Sequence, residues 1–141
     1  LSSGRIGWAL EALHQPELLQ KRGENLDMLR EIVAGTRALR FEKAQELDTL
    51  AGKDKLALRE ILETWQTYWR DVLLLALNSP IKPCNVDRLV ELQQLVQRIR
   101  PEEAEQALRA TRTMIEDVLP TNASPRLALE VLFLDYPGLR R

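Results

Sequence analysis

The run from Glu60 to Leu77 carries two of the three tryptophans and the longest apolar block of the chain, and it constrains the fold more than any other stretch. At about 100° per residue, Leu58, Ile61, Leu62, Trp65, Tyr68, Trp69, Val72, Leu73 and Ala76 form one wide apolar face. Arg59, Glu60, Glu63, Gln66, Thr67 and Arg70 fill the opposite face. The run therefore predicts a central helix. Near its C-terminal end the polarity fails, because Leu74 and Leu77 project to the side that Glu63 and Arg70 keep polar. That side needs a cover, from other helices of the domain or from another chain.

The segments around it are also helical in pattern. Leu, Ala, Glu, Arg and Gln dominate, aromatic residues make up 5%, and β-branched runs are nearly absent, which favours helix over strand. The expected fold is all-α, a bundle of about five to six helices. Ser2 or Ser3 caps a short helix from about Arg5 to His14, and Pro16 ends it and opens the next. Leu18, Leu19, Leu26, Met28, Leu29, Ile32 and Val33 continue at helical spacing to Gly35. Thr36 then starts a helix with Ala38, Phe41, Ala44, Leu47 and Ala51 inward and Gly52 as its stop, and Lys53-Asp54 turns tightly into the central helix. Asn78-Ser79-Pro80-Ile81-Lys82-Pro83-Cys84 holds two prolines and is the main loop. Beyond it come a helix with Val86, Leu89, Val90, Leu92, Val96 and Ile99 apolar, and a second opened by Pro101. The buried stripe of the latter is Ala104, Ala107, Leu108, Thr111, Met114, Ile115 and Val118. Ser124-Pro125 starts a last helix in which Leu127, Leu129, Val131, Leu132, Phe133 and Leu134 leave almost no polar face, so it is expected to be buried nearly all round.

Few classes of chemistry survive this inventory. His14 is the single histidine and Cys84 the single cysteine. That excludes an internal disulfide and a multi-thiolate metal site, and it suits a reducing, cytoplasmic setting. Glu11 and His14 match the Glu-x-x-His spacing of bundle metal sites, which require two copies; the match reads as a surface coincidence. Cys84 has no histidine within sequence reach and reads as a structural thiol. Arg37, Arg40 and Lys43 recur every three residues; they could line a phosphate-binding edge, and read first as a solvated helix face. Trp65 and Trp69 could stack a base, and read first as core. Twenty Lys and Arg against 21 Asp and Glu give a net charge of −1, which advertises neither nucleic acid nor an anionic membrane. No apolar run approaches the roughly 20 residues that span a bilayer. The opening at Leu1 rather than Met reads as part of something longer.

Three separated pieces resemble one family: Leu1-Ser2-Ser3-Gly4-Arg5-Ile6-Gly7-Trp8-Ala9-Leu10, Trp69-Arg70-Asp71-Val72-Leu73-Leu74-Leu75, and Asn122-Ala123-Ser124-Pro125-Arg126-Leu127-Ala128-Leu129-Glu130-Val131-Leu132. In that order they look like the C-terminal part of bacterial DNA polymerase III clamp loader subunits, and within these the delta-prime family most. Asn85-Val86-Asp87 is a further point of similarity. The resemblance implies that residues 1–15 are the last helix of an AAA+ lid domain and 16–141 a helical collar domain that assembles with other subunits. The stretch from Gly4 to Leu10 aligns with the sensor 2 segment, which reads Gly-Ser-x-Arg-x-Ala-Leu in the ATP-hydrolysing gamma or tau subunit. Gly7 stands in the arginine's place, and Arg5, two residues early, would point about 200° away on a helix. This favours delta-prime over gamma or tau.

By the same resemblance the ATPase loop and the arginine finger would lie upstream, leaving a non-catalytic piece with no cofactor, metal or small-molecule substrate. Its partners would be the delta and gamma or tau subunits, with DNA reached only indirectly and no membrane. Leu74, Leu77 and Arg70 are the candidate partner interface. Gly4, Gly7, Trp69, Asp71, Asn122, Pro125, Arg126 and Glu130 are motif residues expected to act structurally. A gamma or tau collar and an unrelated helical adaptor are the alternatives. An enzyme is the weakest reading, since no acid and base pair is visible.

Overall fold

A computed structural model describes residues 16–121 and 123–138, and within them every regular element is helical. The proposed lid helix, with Gly4, Gly7, Glu11 and His14, lies outside the described residues, as does Asn122. The chain order is α1 (Pro16–Ala34), α2 (Arg37–Lys53), α3 (Lys55–Ala76), a 3-10 turn (Val86–Arg88), α4 (Leu89–Val96), α5 (Pro101–Thr113), a π turn (Met114–Val118) and α6 (Arg126–Asp135). Six α-helices agree with the number expected from the patterns. Among the described residues no helix is long and apolar enough to cross a membrane.

Local chemistry sets the boundaries. Thr36 caps α2 by accepting from the Leu39 amide, and Asp54 caps α3 by accepting from the Ala57 amide. Pro101 opens α5, where the Glu103 carboxylate accepts from the Arg100 amide at 2.9 Å. Gly52 does not stop α2, which runs through it to Lys53. A single glycine costs a helix only about 1 kcal/mol, too little to end it when the next cap is Asp54. Gly35 does follow the end of α1, and there the requirement is space. A Cβ on it would lie 2.8 Å from the Glu31 carbonyl oxygen.

The central helix α3 is the hub, packed by α1, α2, α4 and α5. Its 22 residues span about 33 Å at 1.5 Å per residue. Leu58, Ile61, Leu62, Trp65, Tyr68, Trp69 and Val72 are buried, as their periodicity predicts, and Leu73 and Ala76 are half-buried. Helix α1 runs antiparallel to α3, because the Trp65 indole donates to the Asn25 carbonyl at 2.8 Å while Arg22, one turn earlier, reaches the Asn85 side chain beside Asp71. Helix α6 runs antiparallel to α2: Ser124 donates to Asp48 at 2.9 Å at one end, and Arg40 meets Phe133 at the other.

Four aromatic rings join α3 to α6. Trp65 lies 5.8 Å from Phe133, and Trp69 lies 5.1 Å from Tyr136, both tilted. Tyr136 is buried and its hydroxyl lies 2.5 Å from that of Thr111. Because Thr111 donates to the Ala107 carbonyl, Tyr136 is the donor in this pair. The Trp69 indole N–H adjoins the same hydroxyl without meeting hydrogen-bond geometry.

Several faces differ from expectation. Ala38 and Phe41 are exposed where an inward position was expected, because α2 turns Arg40, Ala44 and Leu47 to the interior instead. Leu19, Val86 and Val90 are likewise exposed. The largest correction concerns α6, which is not buried all round. Leu129, Leu132 and Phe133 are interior, whereas Leu127, Val131 and Leu134 are 71%, 50% and 40% exposed. A ten-residue helix lying on α2 and α5 is covered on one side only, and its outer stripe at i, i+4, i+7 is left in solvent.

Tyr68 and Tyr136 are the only tyrosines, and burial first, in Tyr68 aided by the Glu91 carboxylate, holds both phenols well above their usual value of 10.0. A folded-state value raised above the unfolded one leaves stability intact below pH 10 and erodes it as the unfolded chain ionises above that. Phenolate absorbance at 295 nm is therefore expected to stay flat through pH 10 while the helical circular dichroism persists, and to rise only with alkaline unfolding. Free titration near pH 10 in a folded protein would contradict the core described here.

Candidate functional site

Trp69 and Asp71, with the Asn85-Val86-Asp87 piece, gather around the C-terminal half of α3 and the loop that follows. Asp71 is fully buried. Its carboxylate accepts from the Cys84 amide at 2.8 Å, from the Asn85 amide at 2.8 Å and from the Asn85 side-chain amide at 2.6 Å. Three donors satisfy a charge that would otherwise be costly to bury. Asn85, also fully buried, accepts in turn from Arg22 on α1. The helix pattern assigned Asp71 to no face; the structure makes it the anchor that ties the proline-rich loop back to α3.

A charged belt lies one turn away. The Glu91 carboxylate accepts from the Tyr68 hydroxyl at 3.1 Å and pairs with Arg30 at 3.2 Å and Arg88 at 3.4 Å. Arg88 also donates to Asp27 at 2.8 Å and to the Gly23 carbonyl at 3.0 Å. Neighbouring Asp27 and Glu91 raise its pKa above the usual value despite the opposing effect of burial. The belt fixes α1 against the 3-10 turn and α4. A groove of about 370 Å³ adjoins it, with Leu29 and Ile99 in its apolar floor and Arg30 and Gln94 at its edge.

The candidate interface residues are only partly free. Leu77 is 59% exposed and Leu74 is half-buried; Arg70 is half-buried with Nη1 3.5 Å from Cys84 Sγ. Helix α6 does not cover Leu77, since it packs on α2 and α5. Trp69 is interior, Pro125 is buried, and Arg126 pairs with Glu130 at 3.3 Å on the surface, an i,i+4 contact of little energetic weight. Trp69 and Asp71 thus sit together, while Pro125, Arg126 and Glu130 belong to a different region. Among the described residues no group of three or more His, Cys, Asp or Glu is placed to hold a metal.

The regular spacing of Arg37, Arg40 and Lys43 reads as a solvated face, and the structure corrects it at Arg40. It is fully buried, and its guanidinium donates to the carbonyls of Phe133 at 2.5 Å, Pro137 at 2.8 Å, Tyr136 at 2.9 Å and Val33 at 3.0 Å. It closes the C-terminal ends of α6 and α1 together, where unpaired carbonyls carry partial negative charge. Burial lowers its pKa from the usual value. Gly138, at φ 109°, lies against the Val33 carbonyl, where a Cβ would come within 2.2 Å of the oxygen. The signal for Arg40 was present: it lies four residues before Ala44 and seven before Leu47, on the inward stripe. No protein-family model, curated protein or solved structure matches this chain.

Two substitutions separate the anchors. Arg40→Leu leaves four carbonyls without their donor and is expected to destabilise by about 3 kcal/mol or more, read by urea unfolding. Asp71→Ala is expected to cost about 2 kcal/mol or more and to release the loop at Cys84. Its distinctive readout is thiol chemistry: Cys84 should react with a maleimide several-fold faster than in the parent protein, under conditions where both remain folded. An unchanged rate would mean that Asp71 does not hold the loop.

Proposed function

We propose that this chain is the non-catalytic collar part of a clamp loader delta-prime subunit, acting in the cytoplasm by holding neighbouring subunits together while the loader places the sliding clamp on DNA. The observation that supports this best is the way two separated motif pieces meet. Asp71 of Trp69-Arg70-Asp71 holds Asn85 of Asn85-Val86-Asp87 through two hydrogen bonds, in the interior. The motif residues there serve packing and loop geometry, as expected of an assembly element. Gly7 in the sensor 2 arginine's place favours delta-prime over gamma or tau. Leu77, exposed at the end of α3, is the first candidate for contact with a neighbour.

The test is reconstitution. The full-length protein, mixed with purified delta and gamma or tau subunits of the same organism, is expected to co-elute with them on size exclusion. No co-elution at high concentration would refute the reading and favour an unrelated helical adaptor. In the same assay Leu77→Asp is expected to weaken assembly by about tenfold, equivalent to about 1.4 kcal/mol, while leaving the unfolding midpoint nearly unchanged. Equal losses in both would make this side ordinary core.

A further inference from the structure

We infer that the groove between α1 and α4 is the seat of the chain's own Leu139, which lays its side chain on the apolar floor and so straps α1 to α4. Leu139 lies outside the described residues. The groove, of about 370 Å³, has α1 along one side and α4 with the turn after it along the other, and Tyr68 of α3 lines it as well. Leu29 and Val33 supply apolar surface from α1, Leu95 and Ile99 from the other side. Gly138 belongs to the same lining.

Covalent geometry brings Leu139 to this spot. Arg40 donates to the Tyr136 carbonyl at 2.9 Å and to the Pro137 carbonyl at 2.8 Å, which fixes the backbone as far as the groove wall. Gly138, at φ 109° and against the Val33 carbonyl, is part of that wall. The next Cα, that of Leu139, is therefore about 3.8 Å from the Cα of a lining residue. From there the side chain either enters the groove or stands in water. Only one residue beyond the pinned backbone has to be ordered for it to reach Leu29 and Ile99, so little entropy opposes its burial.

The rim disfavours a charged ligand from outside. Glu91 already accepts from Tyr68 at 3.1 Å and pairs with Arg30 at 3.2 Å and Arg88 at 3.4 Å. A charged ligand has to displace one of these partners, whereas a leucine displaces only water. Volume disfavours a helix of a second copy. About 370 Å³ lies near the lower end of the roughly 300–1,000 Å³ of small-ligand pockets, room for a side chain or two rather than for a helix face. The strap matters most to α4, which has only eight residues and is tied to α1 by the polar pair of Glu91 and Arg30. Leu139 adds an apolar tie between the same two helices.

The experiment uses the 141-residue chain with Cys84→Ser, so that an introduced cysteine is its single thiol. Leu139→Cys is expected to react with a maleimide at least tenfold more slowly than Gln45→Cys, which stands on the exposed side of α2. Gln94→Cys reports from the groove edge, and adding Leu139→Asp or Leu139→Ser is expected to speed its reaction several-fold. Helical circular dichroism, expected to match the parent in each variant, separates opening of the groove from unfolding. Equal rates at positions 139 and 45 overturn the inference. A protected Leu139→Cys also overturns it if neither substitution of Leu139 changes the rate at Gln94→Cys, since the leucine is then buried elsewhere. Protection that fades on dilution, together with a dimer on size exclusion, assigns the groove to a second copy and overturns it as well.

Discussion

One buried guanidinium holds the described fold closed. Arg40 sits on α2, yet its four acceptors belong to α1 and to the residues around the end of α6. A single planar fork meets carbonyls at the C-terminal ends of α1 and α6, and these are the groups that helix ends leave unpaired. The arrangement offsets the cost of taking a charge out of water by satisfying it in full on its terminal nitrogens, although Nε finds no acceptor among the described residues. In the aromatic set on α3 and α6 beside it, the Tyr136 hydroxyl and the Trp65 indole find partners, while the Trp69 indole N–H meets none in hydrogen-bond geometry among the described residues. The position of α6, and therefore of everything that helix exposes, follows from this pin.

The second polar anchor works differently. Asp71 binds backbone and side-chain amides of a loop rather than helix ends, and its effect is local. It turns a segment with two prolines, which offers few amides of its own, into a fixed connection between α3 and the 3-10 turn. Arg40 and Asp71 together show a division of labour: one joins elements distant in sequence, the other orders the connection next to its own helix.

Much of the helix order was legible in the sequence, because periodic apolar positions and proline or cap residues are local signals. The buried stripes of α3 and α5 follow directly from spacing. What spacing leaves open is which stripe of a nearly all-apolar helix faces the core. In α6, Leu129, Leu132 and Phe133 form one face and Leu127, Val131 and Leu134 another, and only the placement of α2 and α5 selects between them. The buried polar groups escaped for a related reason. Arg40, charged on an inward stripe, reads as solvated by its type, and Asp71 falls to neither face of α3; the partners of both come from segments that no local window contains. Leu77 lies on the side expected to need a cover and is exposed among the described residues; for Arg37, Arg40 and Lys43 the regular spacing suggested one edge, and the fold withdraws the middle residue.

The order of synthesis gives the Arg40 pin a temporal meaning. As the chain emerges from its N-terminal side, α1 through α5 appear with Trp65 and Trp69 lacking their aromatic neighbours on the far side, and with Arg40 holding only the Val33 carbonyl. Residues 133–137 then supply three acceptors and two rings at once. A chain that ends before these residues therefore lacks three of the four Arg40 acceptors and the rings that meet Trp65 and Trp69 from α6. The outer stripe of α6 is set in its final place in that same step, so this surface is absent from any nascent chain whose interior is still unfinished.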